Sequence, residues 1–300
     1  MREYIKSFCK EFDHPIEATE TLLSAYDQLK KSPEAYALFN EQVEKYNTDK
    51  LTDHYEALAA MDKAAEISGV HRYTLHLMLY ICLSKHTREL YKKKNIPMSI
   101  YHDSMSDLKW KLFECHKMYG IWGSFVAWWF IRFFDLTRFA LGRLQFETVQ
   151  FNSSYSKDGY ILNHGDIVIN VHIPSCGPLK HDACLESYKM AAEFYKDIFI
   201  DRPVAIKCES WLLYPKHREF LPRTSNILSF MNDYDIFESA IDEKNSDAWR
   251  IFYKESTDNL DELPVETSIQ RAYIDWFRKG NKMGSGEGVF FIADLNRHPT

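Results

Sequence analysis

Residues 166–196 read DIVINVHIPSCGPLKHDACLESYKMAAEFYK, and the hydrophobic period changes partway through them. From Asp166 to Ile173 the side chains alternate, with Ile167, Ile169, Val171 and Ile173 on one face and Val168, Asn170 and His172 on the other. That alternation predicts a strand, apolar enough to be central in a sheet. The turn Pro174-Ser175-Cys176-Gly177-Pro178 follows. Beyond it Cys184, Leu185, Tyr188, Ala191, Ala192 and Tyr195 recur at helical spacing and form one buried stripe. A strand that feeds a short glycine-containing turn and then a helix is an anion-binding geometry. The first helical turn offers N–H groups without intrahelical partners and a partial positive charge. A pyrophosphate fits there, and so does a plain chain reversal, because Gly and Pro also turn a chain for their own steric reasons.

Working outward, Leu141 to Val149 alternates so that Leu144 and Phe146 face the core while Arg143, Gln145 and Glu147 face the other way. Val204 to Tyr214 predicts another strand closed by Pro215, Ser225 to Phe237 a short helix, and Trp249 to Tyr253 a strand. Glu266 to Arg278 predicts a helix with Ile269, Tyr273, Trp276 and Phe277 inward, and Val289 to Ala293 a last strand. Gly284, Gly286 and Gly288 fit no nucleotide fingerprint, with no strand before and no helix after them, and predict a flexible turn. Toward the N-terminus, from Pro15 to about Phe134, apolar residues recur three and four apart and predict five or six helices. Ser32-Pro33 suits a helix start, and Gly69 and Pro97 break later helices. The fold class is therefore α+β, a helical domain over 1–137 followed by a mixed sheet flanked by helices over 138–300.

Bulk properties bound the function. The chain has 300 residues, 45% hydrophobic and 15% aromatic, enough for packed cores. With 43 acidic against 37 basic residues the formal charge is −6, which offers no field for nucleic acid or an anionic membrane. The opening MREYIKSFCKEF carries charges every few residues and reads as neither signal nor transit peptide, so a cytoplasmic protein is expected. Cys9, Cys82, Cys115, Cys176, Cys184 and Cys208 contain no CxxC pair and are expected as reduced thiols. His71 and His76 are five apart, poorly placed for shared ligation, and no HExxH occurs, so no metal is expected. The run Ile121 to Phe134, IWGSFVAWWFIRFF, has 14 residues and contains Arg132. It is short of the ~20 needed to span a bilayer. It predicts a buried helix joining the two halves, with a homodimer face, a membrane-surface contact or one wall of an apolar pocket as alternatives.

The order of these elements, with the segments RFALGRLQFE, VHIPSCGPL, CESWLLYP and SNILSFMNDYDIF, resembles the GNAT-type N-acyltransferases. It is closer still to their divergent branch that carries a helical N-terminal acyltransferase domain. The resemblance implies an acyltransferase that moves an acyl group, acetyl in the first instance, from acyl-CoA to a small-molecule or peptide amine by direct attack in a ternary complex. It implies that the pantetheine arm lies beside Asn170, Val171 and Ile173, and that Ser175, Cys176, Gly177, Pro178 and Leu179 cradle the phosphates. The family's phosphate loop is richer in glycine than SCGPL, and Pro178 removes one N–H from the nest. Asn226 matches the asparagine that opens the next helix and touches the cofactor. The family tyrosine that protonates the departing thiolate would fall at position 233, which is Asp233, and Tyr234 is adjacent.

Amine acylation needs a neutral nucleophile, donors for the oxyanion and a route for the proton. Glu147, on a polar strand face with Arg143 and Gln145, is the candidate base, directly or through water, or else an ion-pair partner of Arg143. His172, at the end of the central strand, is a proton relay or a cap on turn carbonyls. Glu209 and Trp211 share a predicted strand face, where Trp211 walls an acceptor pocket or belongs to the core. Cys176 lacks a recognisable activating partner. The rival function is a binding module that keeps the fold without catalysis; a serine or cysteine hydrolase has no GxSxG elbow to support it.

Overall fold

Caps and left-handed glycines set the limits of the first helices. Asp53 accepts hydrogen bonds from the N–H groups of Tyr55 and Glu56, and Gly69 and Gly120 end their helices at φ +70°. The computed structural model describes residues 1–294 and divides into two compact units, Met1–Phe139 and a second that begins at Ala140. The first holds α1 (Arg2–Glu11), α2 (Ile16–Lys30), α3 (Pro33–Asn47), α4 (His54–Ser68), α5 (Arg72–Lys93), α6 (Met98–Tyr119) and α7 (Ile131–Phe134). Its core is built on α5, along which every residue from Leu75 to Ser84 is buried. Among the described residues no helix is long and apolar enough to cross a membrane.

The run from Ile121 to Phe134 is not one helix. It is a loop, a 3-10 turn at Ala127–Phe130, and then α7. Ser124 N donates to Tyr73 O at 2.9 Å, Thr74 Oγ1 donates to Trp122 O at 3.0 Å, and Gly123 passes so close to the Tyr73 backbone that no Cβ would fit. These bonds to the start of α5 hold the segment in place of an internal helical ladder.

The second unit, with the first two residues of β1 before its boundary, holds a six-stranded sheet, spatial order β1-β2-β5-β6-β8-β7, and a small hairpin β3-β4. The strands are β1 (Arg138–Leu141), β2 (Leu144–Gln150), β3 (Tyr155–Lys157), β4 (Tyr160–Leu162), β5 (Ile167–His172), β6 (Ala205–Ser210), β7 (Asp235–Asp242) and β8 (Met283–Phe291). Pairing is antiparallel for β2–β5, β6–β8 and β7–β8 and parallel for β5–β6. The helices are α8 (His181–Phe194), α9 (His217–Phe220), α10 (Asn226–Met231), α11 (Trp249–Phe252) and α12 (Ser268–Arg278). On one sheet face α8 brings Cys184, Tyr188 and Ala191 into the core, with the Tyr188 ring against Phe146 and Phe290. On the other face Phe151, Leu162, Val168, Ala205, Val289 and Phe291 form one cluster.

Further expectations change. The strand expected over Leu141–Val149 is two strands, because Gly142 at φ +70° turns the chain and takes Arg143 off the polar face. The helix expected over Ser225–Phe237 stops at Met231, and Asp235 onward is the edge strand β7. Trp249–Phe252 is a single helical turn closed by Tyr253 in the left-handed region, not a strand. Gly284, Gly286 and Gly288 lie inside β8, not in a turn. The Tyr214 ring and the Leu213 carbonyl press against the strand where the first two would carry a Cβ, and Tyr234 approaches the third.

Candidate active site

The sheet opens at its centre. β5 and β6 pair at Ile169–Ile206 and Asn170–Lys207, whereas β6 stays bonded to β8 as far as Ser210. The two parallel strands therefore diverge beyond the Asn170–Lys207 pair, toward their C-terminal ends. The β2–β5 register puts Glu147 opposite Asn170 and Gln145 opposite His172, so all four side chains share one face beside that opening. His172 Nε2 lies 2.6 Å from Glu147 Oε1 and 3.1 Å from Asn170 Nδ2. Glu147 is buried and the His172 side chain is 20% exposed, so the ring keeps access to solvent while its carboxylate partner does not.

Arg143 serves the turn after β5. Its Nε, Nη1 and Nη2 donate to the carbonyls of Pro178, Pro174 and Gly177 at 3.1, 3.0 and 2.8 Å, and the Cys176 thiol sits 3.9 Å from Arg143 O. The turn is thus braced from one side by a guanidinium, while Ser175, Gly177 and Pro178 are exposed and Leu179 is buried. Gly177 adopts φ +115°, a conformation that favours glycine, with nothing within 4 Å of where its Cβ would be. α8 then begins at His181 with no side-chain cap, so its first N–H groups stand beside the turn.

Two further polar clusters flank this region. His181 Nε2 lies 2.7 Å from Asp233 Oδ1; Tyr188 OH reaches Asp233 Oδ2 at 3.4 Å and Tyr234 OH at 3.2 Å. Burial raises the Asp233 carboxyl above its ordinary range against the opposing pull of His181, and burial holds both phenols well above theirs. On β6, Lys207 Nζ lies 2.8 Å from Glu287 Oε1, 3.3 Å from Asn152 Oδ1 and 3.7 Å from Glu209 Oε2. Lys207 and Glu287 are buried, and Glu209 is exposed.

The models of two family domains match this chain: an N-acyltransferase N-terminal domain over residues 3–136 and a GNAT-like C-terminal domain over 138–290. The chain belongs to the GNAT-like acyltransferase family. It is similar to the solved structure of an acyltransferase in complex with decanoyl-CoA and teicoplanin, at 21% identity and a TM-score of 0.76, covering 96% of this chain and 87% of that one. It is also similar to a mutant acyltransferase in complex with octanoyl-CoA, at 21% identity and a TM-score of 0.75, covering 96% and 88%. At that identity the likeness is one of fold. No curated protein matches the chain.

Within this acyltransferase frame the structure brings Glu147, Gln145, Asn170 and His172 together from two strands. Asn226 opens α10 behind Ser225, whose Oγ accepts from Ile227 N at 3.2 Å. Tyr234 lies in the core, bonded to Tyr188, not at a surface. Trp211 leaves the strand for a 3-10 turn, where its ring meets His217 and Tyr273 edge-on, so it does not share a strand face with Glu209. Sequence reasoning missed Lys207, Glu287, His181 and the Asp233 carboxylate as a cluster member. The signal available was a lysine between the apolar residues of AIKC at the start of that strand, where a buried cation requires a partner.

Proposed function

We propose that the protein transfers an acyl group from acyl-CoA to an amine, with His172 taking the proton from the attacking nitrogen and Glu147 orienting and charge-compensating the imidazole. The observation that carries this reading is the Glu147–His172 contact beside the opening between β5 and β6. The residues fit the co-substrate. Beside the Asn170–Lys207 pair, the diverging strand ends offer N–H and C=O groups from Val171 and Ile173 to an amide-bearing pantetheine arm, and the uncapped start of α8 with Ser175–Leu179 offers N–H groups to phosphates. Asn226 stands at the start of α10 to touch the cofactor. In the reaction the amine nitrogen forms a bond to the thioester carbonyl carbon and loses its proton to His172. The C–S bond breaks and the CoA thiolate takes up a proton, Tyr234 being the candidate donor although its hydroxyl lies in the core.

The six free cysteines support a reducing, cytoplasmic setting. Acetyl-CoA is the simplest donor and a small-molecule or peptide amine the acceptor, with Glu209 and Gln145 on the strand faces toward it. The test is CoA release with acetyl-, octanoyl- and decanoyl-CoA against a panel of amines, run beside His172→Ala. Release above the blank that His172→Ala removes supports the reading. Thermal stabilisation by CoA with no turnover on any pair would make the protein a binding module instead.

A further inference from the structure

Three carbonyl oxygens of one short turn converge on a single side chain, Arg143, whose Nε, Nη1 and Nη2 donate to Pro178, Pro174 and Gly177 at 3.1, 3.0 and 2.8 Å. Carbonyl oxygens drawn toward one point repel each other unless a cation lies among them. A guanidinium supplies that charge together with a planar fork of donors in fixed directions. The backbone of Arg143 is held as well: its N–H donates to Ser187 Oγ at 2.7 Å, and Ser187 lies on α8, the helix that the turn feeds. One residue thus ties the turn to the helix after it. The carbonyl directions in turn fix the amide directions. In a planar trans peptide the C=O of one residue and the N–H of the next point opposite ways, and no cis bond occurs among the described residues. With the carbonyls of Pro174 and Pro178 on Arg143, the N–H ends of the next two peptide dipoles, at Ser175 and Leu179, are turned away from the guanidinium. The Gly177 carbonyl contributes no such end, because Pro178 has no N–H. The turn is open to solvent: Ser175, Gly177 and Pro178 are exposed, and nothing lies within 4 Å of where Gly177 would carry a Cβ.

We propose that Arg143 is a positioning residue for the acyl donor: from behind the turn it holds the peptide dipoles with their positive ends toward the phosphates of acyl-CoA. This rests on the reading of Ser175–Leu179 as the phosphate cradle, and it assigns the group that shapes the cradle. A glycine-rich loop presents its amides through backbone conformation alone. SCGPL has one glycine, and a side chain from the residue before β2 does the same work. The geometry makes two replacements informative. Methionine at 143 keeps an unbranched stem and removes charge and fork together. Lysine keeps the charge, but one ammonium on a flexible stem cannot match three carbonyls in fixed directions.

The experiment measures binding of CoA and of pantetheine, its phosphate-free arm, to the full-length chain by calorimetry. The expected result is that the unaltered protein prefers CoA, and that Arg143→Met and Arg143→Lys each weaken CoA binding on the order of 10-fold or more while pantetheine binding stays within about twofold. A residue that only supported the fold would weaken both ligands together, so parallel losses overturn the proposal. Unchanged CoA affinity in Arg143→Met overturns it too. So does an Arg143→Lys variant that keeps CoA affinity, because charge rather than the fork would then suffice. Should Arg143→Met fail to fold, Arg143→Lys decides alone. Equal affinity of the unaltered protein for CoA and pantetheine would sink the phosphate cradle itself, whereas a preference for CoA that survives in both variants sinks only the role of Arg143, so the two failures are distinguishable.

Discussion

Glu147 on β2 and His172 on β5 meet at 2.6 Å although neither is the direct cross-strand partner of the other; Asn170 stands opposite Glu147 and Gln145 opposite His172. The contact is diagonal, and a diagonal on one sheet face is within reach of long side chains. It pairs a buried carboxylate with a half-buried imidazole, the arrangement by which a carboxylate stabilises an imidazolium as it forms. Arg143 is engaged by the turn carbonyls, and Glu147 Oε1 hydrogen bonds to the His172 ring.

Glu147→Gln keeps the shape and removes the charge. Turnover should fall by about 100-fold, with KM for acyl-CoA nearly constant, because the lost interaction strengthens only as His172 takes up a proton. Single-turnover acyl transfer and thermal unfolding on one preparation check this. A variant that is less stable but fully active would make the pair structural.

Stability should fall as the medium is acidified below neutrality. Burial lowers the imidazoles of His14 and His217 to about 4, against roughly 6.5 in an unfolded chain. Between those values the unfolded state binds more protons, so the stabilisation is complete above the unfolded value and is lost as pH falls through the window. Each histidine then costs up to about 2 kcal/mol between pH ~6.5 and ~5. His217 is enclosed by Trp211, Tyr214, Phe220 and Tyr273 and hydrogen bonded to the Tyr273 hydroxyl. Urea melts at several pH values should show a shallower slope for His14→Leu, and an unchanged slope would argue that the ring is solvated.

The Lys207–Glu287 pair is desolvated on both sides. Lys207→Met alone leaves a carboxylate buried without its cation and should cost about 3 kcal/mol or more, whereas Lys207→Met with Glu287→Leu should recover most of it. A double-mutant cycle by denaturant unfolding measures the coupling. Additive losses would mean that Asn152 and Glu209, not Glu287, satisfy the lysine.

How far such a site can be read in one dimension depends on where its determinants lie. β5, its turn and α8 were legible because their burial follows periods of two and 3.6 residues within one short stretch. Glu147 was legible as part of a polar strand face and His172 as a polar residue at the end of an apolar strand, but their contact depends on the β2–β5 register, which no local pattern records. The β8 glycines looked like a turn because what requires them, Tyr214 and Leu213, lies some seventy residues away in sequence. Trp249–Phe252 is too short to display a period at all. Trp211 followed an apolar strand and continued its alternation, yet Ser210 Oγ accepts from Leu212 N at 3.2 Å and starts a 3-10 turn there.

Tyr234 poses the sharpest test, because its hydroxyl has both a chemical and a structural reading in the same place. Tyr234→Phe removes the proton source for the thiolate and also the 3.2 Å bond to Tyr188. Tyr188→Phe removes the same bond together with the 3.4 Å contact to Asp233 and leaves the Tyr234 hydroxyl. Each variant should therefore lose about 1 kcal/mol of stability for the shared hydrogen bond, Tyr188→Phe somewhat more for Asp233. Only Tyr234→Phe should lower kcat, on the order of 10-fold or more, if its proton goes to sulfur. The kcat deficit should shrink with an acyl donor whose thiol is more acidic, since a better leaving group needs less help. Stopped-flow CoA release and denaturant unfolding on both variants separate the outcomes. Stability losses on this scale with equal, small changes in kcat would assign the hydroxyl to the core and require the thiolate to take its proton from elsewhere.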